Sequence, residues 1–216
     1  MERKNKYLSA LQERVIFFDG ATGTNLEAFP LTAKDFGEPG LFGLFDALPI
    51  YSPDWVAKNH RSFLEVGADV IETDSFRSNR ITLGEFGIAD RVYEFNKAAA
   101  EVARLCADEF STPEKPRFVA GSMGPTGKLP SLDDPELSSI GFDEIASVYH
   151  EQALGLIDGG VDLLLLETSQ DILEMKAAIT GIREAQKERG VWLPIQAQFT
   201  LDANGRMLPG SNVEAV

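Results

Sequence analysis

Five stretches of this chain combine carboxylates, hydroxyls and glycines in the way a small polar ligand requires: DGATGT (19–24), ETDSF (72–76), GSMGPTG (121–127), ETSQD (167–171) and TLDANGRMLPGS (200–211). Glycine and small hydroxyl residues let backbone N–H groups come close to a ligand, and carboxylates among them suit an amine. A zwitterion such as an amino acid fits that mixture. Asp19 also reads as a turn or helix-capping carboxylate. Glu167 is less needed for structure, because Thr168 or Ser169 is available to cap the following helix, and its position favours function. The glycines do not make a phosphate site: DGATGT carries no Lys after its glycines, and GSMGPTGK lacks the P-loop spacing.

Other chemistry-bearing residues read as structural. His60 and His150 stand in no metal or triad spacing and fall toward the wrong ends of their units, so both are expected as surface or packing residues. Cys106, the single cysteine, lies on an apolar helical stripe and is expected to be a buried thiol. One cysteine makes neither an internal disulfide nor a thiolate metal cage.

The elements that must position these residues are legible as alternating patterns. VIFF (15–18), DVIET (69–73), RFVAG (117–121), DLLLLET (162–168) and PIQAQFT (194–200) predict strands, and each except the last is followed by helical periodicity. Ser52-Pro53 and Gly67 bracket one helix, with Val56, Phe63 and Leu64 on its stripe. Ala99, Val102, Ala103 and Cys106 mark a second, and Ile172, Met175, Ile179 and Ile182 a third that ends at Gly190. Strands apolar on both faces and separated by helices predict an α/β fold with a parallel sheet. EVGADVIETDSF (65–76) and DGGVDLLLLETSQ (158–170) share a helix end, a Gly turn, an Asp, an apolar strand and Glu-Thr. Repeated βα units build a (β/α)8 barrel of the TIM type, whose functional groups sit at the C-terminal strand ends. Only about the first five units are expected in residues 1–216, since eight usually need about 250 residues.

Composition narrows the partners. The chain has 216 residues, with Lys+Arg 20 against Asp+Glu 34, a net charge of −14 and 44% hydrophobic residues. Such acidity disfavours nucleic acid and anionic membrane surfaces. MERKNKYLSALQERV has no signal-peptide core, and no segment reaches the roughly 18 apolar residues of a membrane span. A cytoplasmic protein is expected.

Taken in order, DGATGTNL, HRSFLEVGADVIETDSFRSNRITL, FVAGSMGPTG, GLIDGGVDLLLLETSQDILEMKAAI and GRMLPGSNVEAV resemble the homocysteine S-methyltransferase family, most of all its cobalamin-dependent branch. The resemblance covers nearly the whole chain. It implies a (β/α)8 barrel that transfers a methyl group to the thiol of homocysteine, activated by zinc held on three cysteines. In that branch the methyl donor is methylcobalamin, recharged from methyltetrahydrofolate on separate domains; betaine or S-methylmethionine donors are the alternative. By the same resemblance Asp19, Gly20 and Glu167 hold the amino and carboxylate groups of homocysteine, and Thr24, Glu72, Ser122 and Thr126 belong to the substrate site. The zinc cysteines of the family lie near the sixth and eighth strands, so the ligands are expected beyond residue 216. Residues 1–216 then form a partial homocysteine-binding barrel domain, inactive alone, with unpaired sheet edges and a tendency to associate. A non-catalytic amino-acid-binding or assembly module is the competing reading. Two departures stand out: Asp74 and Ser75 replace the usual Asn and Thr, adding a negative charge beside the substrate, and GLFGLFDALPIYSPDWV (40–56) lacks a polar Gly-Cys-Asn-like segment.

Overall fold

The structure is a computed structural model that describes residues 5–215. Its elements in chain order are α1 (Lys6–Glu13), α2 (Thr22–Glu27), α3 (Leu48–Tyr51), α4 (Pro53–Val66), β1 (Val70–Glu72), α5 (Arg80–Glu85), α6 (Val92–Phe110), β2 (Phe118–Met123), α7 (Phe142–Asp158), β3 (Leu163–Ser169), α8 (Ile172–Arg189) and β4 (Ile195–Phe199). The four strands form one parallel sheet in the order β1-β2-β3-β4. Sequential parallel strands joined by covering helices are the successive units of a (β/α) barrel.

The helix boundaries follow local chemistry. Pro53 opens α4 and Gly67, at φ 109°, closes it in a conformation that costs glycine little. Ser52 occupies the N-cap position, but its hydroxyl turns to Asp35 Oδ1 at 3.3 Å instead of capping. At α8 the cap is Asp171, which accepts the Leu173 N–H at 2.7 Å, and not Thr168 or Ser169. Asp outcompetes them because its carboxylate sits just before the first turn, whereas Thr168 and Ser169 still belong to the strand.

Period-two alternation sorts the strands into two faces. Ile71, Val119, Met123, Leu164 and Leu166 point outward into the helical layer, against Ala103, Cys106, Ile145, Leu156 and Ile182. Val70, Phe118, Ala120, Leu163 and Leu165 point inward and meet Tyr7 and Ala10 of α1. The Tyr7 ring stands edge-on to Phe118 at 5.6 Å, and its hydroxyl donates to Gln196 Oε1 at 2.9 Å, so α1 seals the floor of the interior. Leu163 to Leu166 are each no more than 1% exposed. Burying each is worth about 2 kcal/mol, which explains an apolar run without alternation. Helix α8 packs tightly on α7 through Gly181, where an added Cβ would lie 2.0 Å from the Ala146 carbonyl oxygen.

The first predicted strand is a correction. Within 15–18 only Phe18 forms a bridge, to Val70, and Val15 and Phe17 are 73% and 65% exposed. The Asp69 carboxylate takes the Phe17 N–H at 3.0 Å, and only the Phe18–Val70 bridge follows it. Asp162 makes the equivalent bond two units on, accepting the Val119 N–H of β2 at 2.8 Å. Each of these aspartates follows a positive-φ glycine turn and carries an arginine, Arg14 at 2.8 Å and Arg104 at 2.7 Å. The internal similarity between 65–76 and 158–170 is thus a repeated structural device.

Among the described residues, no helix is long and apolar enough to cross a membrane. His60 is buried with neither ring nitrogen bonded, and burial lowers its pKa to about 4, so it is a neutral packing residue. His150 pairs with Glu188 at 3.0 Å near the surface. Cys106 is buried, its Sγ directed at the Ala57 carbonyl at 3.8 Å.

Candidate functional site

Alternation that buries Val70, Ala120 and Leu165 inside the sheet brings Glu72, Ser122 and Glu167, two residues further along each strand, to the same side at its C-terminal end. These three line a cleft of about 360 Å³ together with Gly20, Asp46, Asp74 and Arg77. The walls converge because β1 and β2 are stitched beyond their ladder. Thr73 Oγ1 accepts the Ser122 N–H at 2.9 Å, and Ser75 Oγ donates to the Ser122 carbonyl at 2.8 Å. Phe76 then lies flat against Gly124, where a Cβ would come within 2.6 Å of the ring.

Glu167 is aimed by a break in its own strand. The ladder between β3 and β4 shifts register between Leu166 and Ser169, and Thr168 within the shift has φ 58°. A left-handed β-branched residue is strained by about 1–2 kcal/mol, and such strain concentrates where a side chain must be aimed. Ser122 Oγ donates to Glu167 Oε1 and holds that orientation.

The electrostatics favour a cationic ligand group. Asp19 is half-buried behind the cleft and accepts the Glu72 N–H through both oxygens, at 3.1 and 3.2 Å. Burial, with Glu167 adding repulsion, raises the Asp19 pKa to about 7. Burial and the charges of Glu167 and Asp19 raise Glu72 to about 8. Burial also raises Glu167, against the opposing bond from Ser122. Among the described residues no Lys or Arg forms an ion pair with these three carboxylates, Arg77 pairing instead with Glu85, and an ammonium supplies the missing charge.

The expected site residues divide. Gly20, Glu72, Ser122 and Glu167 line the cleft, with Asp19 behind Glu72. Thr24 is exposed on α2 and Thr126 is buried away from the cleft; neither is among its lining residues. Thr126 instead gives its N–H and hydroxyl to Glu174 at 2.8 and 2.5 Å, fastening the loop after β2 to α8. Asp46, Phe45 and Arg77 are lining residues that sequence reasoning missed, Asp46 being the one with a carboxylate. It lies within 40–56, where only a missing polar segment was noted, yet the loop packs Leu41, Leu44 and Leu48 inward and carries Asp46 to the wall.

A thiolate zinc cage does not fit these residues: among the described residues no three His, Cys, Asp or Glu side chains gather as a metal site, and Cys106 is buried in the helical layer.

Fold and site together define a partial (β/α) barrel whose strand ends form an acidic mouth suited to an amine. Residues 16–216 match the homocysteine S-methyltransferase family, and the chain belongs to it. It is 42% identical over 208 residues to methionine synthase of Mycobacterium tuberculosis (strain ATCC 25618 / H37Rv) and 40% identical to methionine synthase of Mycobacterium leprae (strain TN). Those alignments cover 96% of this chain and 17% of each relative, so the chain spans about a sixth of their length. The fold matches the homocysteine methyltransferase MmuM from Escherichia coli, with a TM-score of 0.75 for the oxidized form and 0.74 for the metallated form. Each match has 21% identity and covers 95% of this chain and 70% of that one.

Proposed function

We propose that this chain is the homocysteine-binding part of an enzyme that methylates the homocysteine thiol to give methionine. The observation that carries the reading is the convergence of Glu72, Glu167 and Asp19 on one cleft without a matching cation, in a chain of the homocysteine S-methyltransferase family. The substrate ammonium enters between Glu72 and Glu167, its charge lets them ionise, and Ser122 keeps Glu167 in place. Anchoring the amino end fixes the direction in which the thiol is presented.

In this reading residues 1–216 are one partial barrel domain. Further strands would carry the zinc cysteines, and zinc bound there would lower the pKa of the substrate thiol. Methylcobalamin and methyltetrahydrofolate are handled by other domains of a longer cytoplasmic protein. The span of the chain within its methionine synthase relatives supports this arrangement.

The test is calorimetric titration of homocysteine into the intact protein and its Glu167→Gln variant. Loss of one charge-assisted contact to the ammonium predicts roughly 10- to 100-fold weaker binding. Equal affinity in the two proteins would refute the assignment.

A further inference from the structure

The wall of the cleft beside Arg77 holds a second pair of acids, Asp46 and Asp74, 5% and 7% exposed. They come from sequence-distant places, the 3-10 turn Phe45–Ala47 and the segment just past β1. Their surroundings are unequal. Asp46 Oδ1 accepts the Arg77 N–H at 2.8 Å and the Ser78 hydroxyl at 2.9 Å. Asp74 receives no such bond, and its Oδ2 is buried with no hydrogen-bond partner. Two donors stabilise a carboxylate, whereas a buried carboxylate with none is much costlier than its neutral form. One wall cannot readily hold both charges, so the proton belongs on the acid that lacks donors. A neutral carboxyl group then donates a hydrogen bond as well as accepting one.

We infer that Asp74 is the protonated member of this pair and offers its O–H to the carboxylate of the amino-acid ligand whose ammonium meets Glu72 and Glu167, so that Asp74 selects for ligands bearing a carboxylate. This rests on the homocysteine reading and deepens it. It also reverses the expectation that Asp74 sets a negative charge beside the substrate: a protonated Asp has the shape of Asn and keeps a donor. Burial first, and the charge of Asp46 second, hold the Asp74 proton well above the usual carboxylate range. The charged groups sharing the cleft are Asp46 on the 45–47 turn, Arg77 three residues on, Glu72 at the end of β1 and Glu167 on β3, with Asp19 behind Glu72. Arg77 is cationic, but its guanidinium pairs with Glu85 at 3.3 Å, which leaves the donor role to Asp74.

The experiment compares homocysteine with 3-aminopropane-1-thiol, the same molecule without its carboxylate. Affinities of the intact protein for both are measured from pH 6 to 9.5, for wild type and for Asp74→Asn. Ionisation of the ligand amine and of Glu72, Asp19 and Glu167 affects both proteins, so the ratio of the two affinities, compared between proteins, isolates Asp74. In wild type the preference for homocysteine falls about tenfold more across the alkaline range than in Asp74→Asn, as a donor becomes a repelling charge. Asp46→Asn removes the negative charge that helps hold the Asp74 proton, so that fall moves to lower pH; a move to higher pH would overturn the assignment of the charge to Asp46 and the proton to Asp74. A ratio that changes with pH identically in wild type and Asp74→Asn would overturn the inference while homocysteine still binds. Failure of both ligands to bind would overturn the homocysteine reading itself, and the inference with it.

Discussion

Replacing Glu72 by Gln should make the protein more stable in alkali while weakening its grip on an amine. Glu72 has its pKa raised from 4.5 to about 8, so the folded state retains a proton that the unfolded chain has released. A raised carboxyl pKa contributes full stability below the unfolded value, and that stability is lost as pH climbs toward the folded value. At about 1.4 kcal/mol per pH unit of displacement, the loss from Glu72 between pH 5 and 8.5 approaches 4–5 kcal/mol, and relaxation of a partly wet cleft trims it to about 2–4 kcal/mol. For a domain of this size that is a fall of roughly 5–15 °C in Tm. Glu72→Gln removes the charge but leaves Asp19 raised, since that rise comes first from burial and then from the charge of Glu167. His60 acts with the opposite sign, because its lowered pKa adds stability as pH rises through 4 to 6.5, but it cancels in the difference between the two proteins. The assay is urea unfolding at pH 5, 6, 7 and 8.5 without ligand. The gap between variant and wild type should be small at pH 5 and widen by about 2–4 kcal/mol at pH 8.5. Parallel curves would refute the reasoning, since they would mean that Glu72 ionises freely where it stands.

Three other outcomes are expected. Thr168→Gly relieves the left-handed strain at φ 58° and adds about 0.5–1 kcal/mol after the entropy of glycine is counted, measured by denaturant unfolding; a loss of that size would deny the strain. Gly181→Ala places a methyl group against the Ala146 carbonyl and should cost about 2–3 kcal/mol, visible as a lowered Tm, because two helix backbones must separate. Glu174→Ala strands the N–H and hydroxyl donors of Thr126, while the Tyr149 hydroxyl keeps the Gly124 carbonyl, and should cost about 2–4 kcal/mol. Limited proteolysis then reports faster cleavage within 124–141, and unchanged cleavage would show that the loop does not depend on Glu174.

What the sequence disclosed depended on how local each cause was. The helices bracketed by Pro53 and Gly67 and closed by Gly190 were legible because caps and breakers act within a turn. The placing of Glu72 and Glu167 followed from their position at the C-terminal ends of two strands of a parallel sheet. VIFF misled because strand propensity reads apolar and β-branched content but not how far a partner's ladder runs, and here pairing stops at the single Phe18–Val70 bridge. Thr126 sat in a glycine-rich motif that resembled a ligand loop, yet Glu174, 48 residues on, claims its hydroxyl. The meeting of Asp46 with the Asp74 wall was likewise hidden, since it arises from the folding of an apolar loop and not from any spacing in the chain.

The floor formed by Tyr7 across the interior has a consequence for traffic. In our functional reading further strands close the barrel, and a well then blocked at its base by an aromatic ring and a bond to Gln196 has one opening, so that arrival and departure share a single path. In our functional reading the molecule anchored by its amine lies beneath whatever delivers the transferred group. The deeper occupant must be seated first and cannot leave until the upper one withdraws, so the architecture imposes an order of entry and exit without a moving lid.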